Sequence, residues 1–459
     1  MTFENLHYNE APKIVTSLPG KKAKKILKKQ DEIEGKAVSY PKAIPLVIAE
    51  GRGATIKDSD GNIFIDFFAG AGVVALGHCN PVIMKAVTEQ QKRITHTLDF
   101  PTEVRMTLVE KIREILPNNL KDKMKIQFGG PTGSDAVEMA IKFVKCLTQR
   151  RTIISFEGAY HGMSTGALSV TSGRFWKENY LPLLPDIHFL PYAYCYRCPF
   201  QKEPDNCERI CAQYYDHKLN DPHSGIAQPA GTIIEPIQGE GGSIIPPEGF
   251  IKHIQEISQK YKIPIIFDEI QSGFNRTGRV FSFEHDNAIP DIITMSKALG
   301  GGFPLSAIAY REELDEKDKW IKGAHIGTFR GNVSAMAAGV ATIDFMIDHN
   351  LSKHVKKLGN HMIQSLKDLE KNSDIIGEVR GKGLMIGLEV VVNKETKQPS
   401  EELARQIRIE SFNQGLLVEI GGHFNNVVRL LPPLVITKDL ADKGIEILIE
   451  TVETVQNTS

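Results

Sequence analysis

The sequence feature that most constrains the fold is an alternation of short apolar segments with helical patterns between residues 124 and 311. The apolar segments are rich in β-branched residues and lie at 124–128, 151–156, 231–237, 263–268, 292–295 and 306–310. They are apolar on both faces, as strands inside a parallel sheet are. Helical patterns such as 134–149 and 250–261 separate them, and strands that alternate with helices predict a doubly wound, mostly parallel α/β sheet.

The C-terminal part of the chain predicts a smaller α+β domain. A long helical pattern at 333–349 comes first, and it is followed by strands at 383–391, 416–420 and 427–430 and by helices at 401–413 and 438–455. We therefore predict a large domain at residues 76–335 and a small domain at 336–459. The N-terminal segment, residues 1–75, is expected to join the small domain.

The charge balance and the apolar stretches argue against two classes of partner. The 55 Lys and Arg residues and 56 Asp and Glu residues give a net charge of -1, whereas nucleic-acid-binding proteins normally carry a basic excess. The longest nearly unbroken apolar stretch, 67–77, is well short of the roughly 20 residues that a membrane-spanning helix needs. The N-terminus also lacks the apolar core of a secretory signal. We expect a cytoplasmic protein whose partners include neither nucleic acid nor a membrane.

Two charged residues follow buried strands and suggest a cofactor site. Asp268 ends the segment 263–268, and Lys297 follows the segment 292–295; ligands of such sheets bind at the carboxyl ends of the strands. Burial of a lysine favours the neutral amine that Schiff-base chemistry requires. An aspartate and a lysine on successive strand ends therefore fit a pyridoxal phosphate site, in which the aspartate keeps the pyridine nitrogen protonated and the lysine bonds to the aldehyde.

A phosphate site and a cover for the ring should accompany that pair. The glycine-rich turn at 129–135 comes directly before a helix, so its glycines, the helix N-terminus and the Ser134 hydroxyl can bind an anion. The alternative is an ordinary turn in which Ser134 and Asp135 cap the helix. Thr328 is a second hydroxyl candidate. Tyr160 or His161 could cover the ring, although Tyr160 could equally be a packing residue at a strand end.

Taken together, these motifs resemble the class III aminotransferases of the fold-type-I pyridoxal phosphate enzymes over about residues 40–455. The segments that carry the resemblance are Gly-Pro-Thr-Gly-Ser, Ala-Tyr-His-Gly, Glu-Pro-Ile-Gln-Gly-Glu-Gly-Gly, Asp-Glu-Ile-Gln-Ser-Gly and Ser-Lys-Ala. The resemblance implies a pyridoxal 5'-phosphate cofactor and the fold-type-I architecture. It also implies a homodimer with shared active sites, because Thr328 would reach the phosphate in the neighbouring subunit.

The resemblance also assigns roles to the other site residues. Lys297 would be the Schiff-base lysine and proton shuttle, Asp268 the partner of the pyridine nitrogen, Gln271 the partner of the 3-hydroxyl, Gly133 and Ser134 the phosphate ligands, and Tyr160 the residue stacked on the ring. Glu240 would pair with Arg429 while an ω-amine substrate is bound, and would release it to bind 2-oxoglutarate. On the residues alone, Arg429 could equally form a salt bridge at a strand edge.

One departure from the family pattern concerns the substrate. GABA, ornithine and acetylornithine aminotransferases commonly carry an arginine for a substrate carboxylate at the position of Met163, so GABA is a doubtful donor. The methionine and the surrounding motifs resemble the diaminobutyrate:2-oxoglutarate aminotransferases instead. Arg330 is then a candidate for the missing carboxylate binder, and an ion pair at a subunit interface is the alternative.

The sequence thus predicts transfer of the terminal amino group of a small diamino or ω-amino acid to 2-oxoglutarate, which gives glutamate and a semialdehyde. L-2,4-diaminobutyrate is the leading donor. A pyridoxal phosphate-dependent racemase or epimerase of the same family is the first alternative, because it would use the same Lys297 and Asp268. A GABA-type aminotransferase and a cofactor-binding scaffold without turnover are the others.

Four of the six cysteines lie close together in the sequence, at Cys195, Cys198, Cys207 and Cys211. Paired short spacings resemble a zinc or iron–sulfur knuckle, although the gap between the pairs is shorter than in most zinc ribbons. Reduced cysteines or a local disulfide are the alternatives. We assign no metal to the catalytic site.

Overall fold

The computed structural model describes residues 3–315 and 318–458, and the chain divides into two compact units. The larger unit is Val82–Val355, and the smaller one combines Met1–Pro81 with Lys356–Ser459. Among the described residues, no helix is both long enough and apolar enough to cross a membrane.

The strands and helices are numbered in chain order. The strands are β1 Ile48–Arg52, β2 Thr55–Asp58, β3 Ile63–Asp66, β4 Met124–Phe128, β5 Ile153–Phe156, β6 Ile187–Leu190, β7 Gly231–Ile234, β8 Ile265–Asp268, β9 Ile292–Met295, β10 Ala307–Arg311, β11 Ile376–Lys382, β12 Met385–Asn393, β13 Gln398–Pro399, β14 Leu416–Leu417, β15 Glu419–Gly421 and β16 Val427–Leu430. The helices are α1 Lys21–Ile33, α2 Tyr40–Ala43, α3 Ala69–Gly72, α4 Pro81–Arg93, α5 Glu103–Ile115, α6 Gly133–Thr148, α7 Thr165–Val170, α8 Arg174–Lys177, α9 Ile210–Asn220, α10 Phe250–Lys260, α11 Val333–Asp348, α12 Leu351–Asn372, α13 Glu401–Asn413 and α14 Lys438–Thr458.

The larger unit is built on a seven-stranded sheet with the strand order β4-β10-β9-β8-β7-β5-β6. The strands from β9 to β6 in this order run parallel, and β10 is antiparallel to both of its neighbours. The predicted doubly wound, mostly parallel α/β sheet is therefore confirmed. Parallel pairing places the carboxyl ends of β5, β7, β8 and β9 along one edge of the sheet.

Burial explains why these segments form strands and where the helix before the site packs. The residues of β5, β7, β8 and β9 are all buried, so each strand needs apolar side chains on both faces. Helix α6 lays Val137, Ala140 and Val144 against the sheet residues Ile233 and Ile266 in one continuous apolar cluster. This packing fixes the N-terminus of α6 beside the carboxyl edge of the sheet.

The smaller unit contains two sheets together with helices, as the sequence predicts for an α+β domain. Strands β1, β2 and β3 pair antiparallel, and β14 joins β3 in parallel. The second sheet has the order β11-β12-β16-β15, and β13 pairs with β12. Phe64 of β3 stacks on Phe412 of α13 with ring centroids 5.2 Å apart, which ties the N-terminal strands to the C-terminal part of the chain within this unit.

Candidate active site

A cavity of about 210 Å³ lies in the larger unit, at the carboxyl edge of its sheet. Its walls come from the segments that follow β5, β7, β8 and β9 and from the N-terminus of α6. The lining residues are Thr132, Gly133, Ser134, Tyr160, His161, Gly162, Glu235, Glu240, Asp268, Ile270, Gln271 and Lys297. The structure thus brings together eight of the residues that the sequence singled out: Gly133, Ser134, Tyr160, His161, Glu240, Asp268, Gln271 and Lys297.

The N-terminus of α6 forms one wall of the cavity. The backbone N–H and the hydroxyl of Thr132 both donate to Asp135 Oδ2 at 2.8 Å, so these two residues cap the helix and leave Ser134 to other partners. Ser134 Oγ accepts the Met163 N–H at 3.1 Å. Free backbone N–H groups in the first turn and the helix dipole favour an anion at this position.

Gly162 lets a neighbouring loop approach that helix terminus closely. Its φ is +124°, and a Cβ at this position would lie 2.0 Å from Ser134 Oγ. Gly239 makes a similarly close approach, since a Cβ added at this position would lie 1.9 Å from Gln271 Oε1. Each glycine therefore holds a backbone segment against a polar side chain that lines the cavity, and a larger residue would displace that side chain.

Asp268 is held at the end of β8 by two defined contacts. The carboxylate is 3% exposed; its Oδ1 accepts the Ile270 N–H at 3.1 Å, and its Oδ2 lies 2.7 Å from Nδ1 of His161. His161 is itself fixed by its backbone N–H, which donates to Thr171 Oγ1 at 2.9 Å. Among the described residues, the buried Nε2 atom of His161 has no hydrogen-bond partner. A buried carboxylate with such donors has a fixed position and orientation.

Glu235, directly after β7, is a second buried acid in the cavity wall. Its two carboxylate oxygens each accept a backbone N–H at 2.9 Å, one from Tyr160 and one from Gly239. Burial raises the pKa of Glu235 to about 7, while the charge of nearby His161 acts in the opposite direction. The residue therefore ties the loop that carries Tyr160 to the loop that carries Glu240.

Tyr160 lies over the cavity and packs against another aromatic ring. Its ring is 5.0 Å from that of Trp176, at an interplanar angle of 69°. Burial, followed by the charges of Glu240 and Glu235, raises the pKa of its hydroxyl. Trp176 thus supports the neutral ring of Tyr160 on one side, and Glu235 fixes the backbone of the same residue.

Lys297 follows β9 on a strained turn. Its backbone has a φ of +44°, which is uncommon for a residue other than glycine and marks a position under local constraint. The preceding Ser296 secures the turn by donating its hydroxyl hydrogen to the Leu305 carbonyl at 2.8 Å. The side chain is half-buried and lines the same cavity as Asp268.

Three predicted site residues are not among those that line the cavity. Thr328 is exposed and does not line the cavity. Arg330 forms an ion pair with Asp99, with Nη2 and Oδ2 2.6 Å apart, and borders a separate pocket. Arg429 is on β16 in the smaller unit and is 1% exposed. The roles assigned to these three residues stay predictions, as do those assigned to the residues that line the cavity.

The cysteines form no disulfide. None of the six, all of which lie among the described residues, is bonded to another cysteine. Within residues 3–315 and 318–458, no group of three or more His, Cys, Asp or Glu side chains is arranged to hold a metal ion.

Sequence reasoning did not assign the parts that His161 and Glu235 play. His161 was considered as a cover for the ring, yet it lies beside the carboxylate of Asp268, 107 positions along the chain. Glu235 comes directly after β7, and Asp268 is the last residue of β8; this similar position was a signal that could have singled out Glu235.

Comparison with known proteins identifies the family. The family model for class-III aminotransferases matches residues 37–452. The chain is 41% identical to the diaminobutyrate--2-oxoglutarate aminotransferase of Rhizobium meliloti, over 90% of this chain and 88% of that protein. It is 37% identical to the alanine/serine racemase of Pyrococcus horikoshii, over 96% and 92%.

A solved structure with the same fold is that of an amine transaminase from an uncultivated Pseudomonas species, in its PLP-bound form. It has a TM-score of 0.83 and 27% identity, and the match covers 93% of this chain and 98% of that one. The fold, the cavity and the similarity over nearly the whole chain lead to one conclusion: this chain belongs to the class-III aminotransferase family.

Proposed function

We propose that the chain uses pyridoxal 5'-phosphate to move the terminal amino group of L-2,4-diaminobutyrate to 2-oxoglutarate, giving glutamate and a semialdehyde. The observation that carries the chemistry is the convergence of Lys297, Asp268 and the N-terminus of α6 on one cavity. The name of the Rhizobium meliloti relative supports the choice of donor and acceptor. The reactants are small metabolites, and we place the reaction in the cytoplasm.

The residues of the cavity fit this cofactor. The first turn of α6 and Ser134 offer a phosphate site, and Gly162 brings the Met163 N–H to within 3.1 Å of the serine oxygen. Asp268 in the same cavity would offer an anion for a protonated ring nitrogen, and Tyr160 would offer an aromatic face. When bound, pyridoxal phosphate supplies an aldehyde that bonds to amines and a protonated ring that withdraws electrons.

Asp268 and His161 act as one unit in this proposal. With its proton on Nδ1, His161 donates to Asp268 Oδ2, and the Ile270 N–H donates to the other oxygen. Both donors fix the position and orientation of the carboxylate. The carboxylate would then accept a hydrogen bond from a protonated ring nitrogen, so we assign His161 as a positioning residue for Asp268.

Lys297 and Gln271 complete the set of residues around the cofactor. The Lys297 amine would hold the cofactor through its aldehyde and would carry the proton that moves during the reaction. The turn secured by Ser296 sets the position of that amine. Gln271 is held against Gly239, and we assign its side chain to the 3-hydroxyl of the ring.

Glu240 and Arg429 are proposed to select between the two substrates. Glu240 lines the cavity, and Arg429 is a buried residue of β16. In this proposal Glu240 would pair with Arg429 while the amine donor is bound, and a carboxylate of 2-oxoglutarate would replace Glu240 in the second half-reaction. A bidentate contact suits an arginine better than a lysine.

Thr328 and Arg330 are proposed to act on the site of a second copy. Both lie in the segment that precedes α11, and Thr328 is exposed and outside the cavity of its own chain. A homodimer that shares its active sites would use Thr328 for the phosphate and would bring Arg330 close to the carboxylate of the donor.

The substrate proposal is tested by comparing two donors. GABA has its only carboxylate far from the reacting amine, and Met163 cannot bind it as the arginine of the GABA-using relatives does. Losing a charge-assisted hydrogen bond costs about 1.5–3 kcal/mol, so kcat/KM for GABA should be at least about tenfold below that for diaminobutyrate. The variant Met163→Arg restores the cation and should narrow this gap. A wild-type enzyme that prefers GABA would refute the donor assignment.

A racemase is the second candidate function, because the alanine/serine racemase of Pyrococcus horikoshii is 37% identical to this chain. A racemase would convert an L-amino acid into its D form without any 2-oxo acid and without producing glutamate. Chiral chromatography of alanine, serine and diaminobutyrate after incubation with the enzyme alone distinguishes the two reactions. D-amino acid formation without glutamate would favour the racemase.

A further inference from the structure

The proposed donor has a charged group to which no residue has yet been assigned. Diaminobutyrate and GABA share a four-carbon chain, a carboxylate at one end and an amine at the other. They differ only by the α-ammonium group of diaminobutyrate. A preference for diaminobutyrate therefore requires a group on the protein that binds this ammonium, and a carboxylate suits it best because the hydrogen bond is then charge-assisted at both ends.

The acids of the catalytic cavity are already engaged. The described residues that line it include three acids, Glu235, Glu240 and Asp268. Both carboxylate oxygens of Glu235 accept backbone N–H groups. Asp268 lies against His161 and is assigned to the ring nitrogen, and Glu240 is assigned to Arg429. The acid that binds the α-ammonium group is therefore sought on the smaller unit.

Glu419 of β15 lies beside the residue that we assign to 2-oxoglutarate. It is directly opposite Arg429 in the antiparallel pair of β15 and β16. Residues opposite each other in such a pair project from the same face of the sheet, with Cβ atoms about 5 Å apart. On the other side of β16, the residue opposite Arg429 is Gly387, which has no side chain. Across the sheet, the side chain next to Arg429 is thus that of Glu419.

The carboxylate of Glu419 is oriented by its neighbours and lies next to open space. Its Oε1 accepts the Ile420 N–H at 2.9 Å and is 3.7 Å from Nη1 of Arg408 on α13. The side chain is 13% exposed, and it lines a cavity of about 940 Å³ in the smaller unit. A largely buried carboxylate beside a cavity attracts a cation strongly, because little water screens the charge there.

We propose that Glu419 binds the α-ammonium group of the donor and thereby sets the preference for diaminobutyrate over GABA. This role rests on the proposed function, in which Arg429 binds 2-oxoglutarate. The donor and 2-oxoglutarate occupy one site in turn, so a carboxylate on the same face as Arg429 would lie close to both. The neighbouring cations Arg408 and Arg429 would offset its repulsion of 2-oxoglutarate.

The variant Glu419→Gln tests this role, because it keeps the shape of the side chain and removes the charge. kcat/KM for diaminobutyrate should fall at least about tenfold, mainly through KM, since the contact is remote from the reacting amine. kcat/KM for GABA should stay the same, and the half-reaction with 2-oxoglutarate should not slow. Glu401→Gln, which removes an exposed acid of α13 that pairs with Arg405, is the matched control and should change neither donor.

Binding without turnover is measured with two compounds in which a hydroxyl replaces the terminal amine. L-Homoserine retains the α-ammonium group, and 4-hydroxybutyrate lacks it. In isothermal titration calorimetry of the enzyme saturated with pyridoxal phosphate, homoserine should bind at least about tenfold more tightly than 4-hydroxybutyrate. This difference should disappear in Glu419→Gln. If that variant does not fold, Glu419→Asp answers the same question, since its shorter side chain should weaken the binding of homoserine alone.

Two results would overturn the role of Glu419 and leave the proposed function intact. One is a wild-type preference for diaminobutyrate that persists in Glu419→Gln. The other is an equal loss with diaminobutyrate, GABA and 2-oxoglutarate, which would make Glu419 a structural partner of Arg429. A wild-type enzyme that prefers GABA, or that forms no glutamate from diaminobutyrate, would refute the proposed function and this role with it.

Discussion

Replacing Gly162 by alanine should damage cofactor binding more than it damages folding. The residue has a φ of +124°, and its new Cβ would lie 2.0 Å from Ser134 Oγ and 2.9 Å from Ser134 Cβ. An ordinary contact between such atoms is well over 3 Å, so Ser134 has to move by more than about 1 Å. The hydroxyl would then leave the position from which we expect it to bind the phosphate.

The magnitude follows from two separate costs. An alanine in a backbone conformation that glycine favours costs about 1–3 kcal/mol of stability. Losing a hydrogen bond to a charged group costs a further 1.5–3 kcal/mol, which corresponds to a dissociation constant for pyridoxal phosphate raised roughly 10- to 100-fold. The second cost appears in cofactor binding, whereas the first appears in the stability of the protein without cofactor.

A matched glycine separates these costs. Gly225 has a φ of +77°, and a Cβ there would meet no other atom within 4 Å. Gly225→Ala should therefore lower stability by a similar strain while leaving the affinity for pyridoxal phosphate unchanged. Both variants are compared by equilibrium dialysis with the cofactor and by urea unfolding without it. Equal cofactor affinities in Gly162→Ala and the wild type would refute this account of the phosphate site.

Two further predictions concern Lys297 and Glu269. Lys297→Ala should lower the rate of glutamate formation by several orders of magnitude with a native circular dichroism spectrum, because it removes the proposed proton carrier; a near-normal rate would rule out that role. Burial raises the pKa of Glu269 from its ordinary value of 4.5 to about 7. Between about pH 4.5 and pH 7, the folded state therefore holds a proton on Glu269 that the unfolded state has released. Stability should fall by about 3 kcal/mol from this group as the pH rises from about 4.5 to about 7. The free energy of unfolding is measured with urea at pH 5 and at pH 8. In Glu269→Gln its decrease between these pH values should be smaller by the contribution of this group, and an identical pH dependence in both proteins would contradict the prediction.

The fold was predictable where both faces of a strand are buried. The bounds of β9 agree with the sequence pattern residue for residue, because all four of its residues are buried and the run ends at a polar turn. Strand β4 also has the predicted bounds, although three of its five residues are only partly buried. Strand β6, Ile187–Leu190, was not predicted. Three of its four residues are only partly buried, since it lies at the edge of the sheet, and a half-exposed strand carries a weaker apolar signal.

Strand β11 in the smaller unit was missed for an electrostatic reason. Its Arg380 is nearly buried and pairs with Glu389 of β12 at 2.8 Å. Charged residues in a strand obscure the apolar pattern, and their pairing partner is known only once the two strands are aligned. The strand is therefore difficult to recognise in the sequence, although the structure pairs it with β12 in antiparallel orientation.

The candidate site was predictable as far as strand order determines it. Asp268 is the last residue of β8, Lys297 follows β9, and these two strands pair directly in parallel, with Asp268 opposite Thr294. The alternation of strands and helices in the sequence predicts that such strands lie in one parallel sheet. The contact of His161 with Asp268 depends on how the loop after β5 folds back, which glycine conformations at Gly158 and Gly162 decide. No periodicity in the sequence encodes that path.

The central claim, that the terminal amino group of diaminobutyrate moves to 2-oxoglutarate, can be tested by isotope transfer. The enzyme is incubated with 2-oxoglutarate and with diaminobutyrate that carries ¹⁵N either at the terminal or at the α-amino group, and the glutamate is analysed by mass spectrometry. The account predicts labelled glutamate from the terminally labelled donor and unlabelled glutamate from the α-labelled one. Label from the α-amino group in glutamate, or loss of the donor's chirality with no glutamate formed, would contradict it.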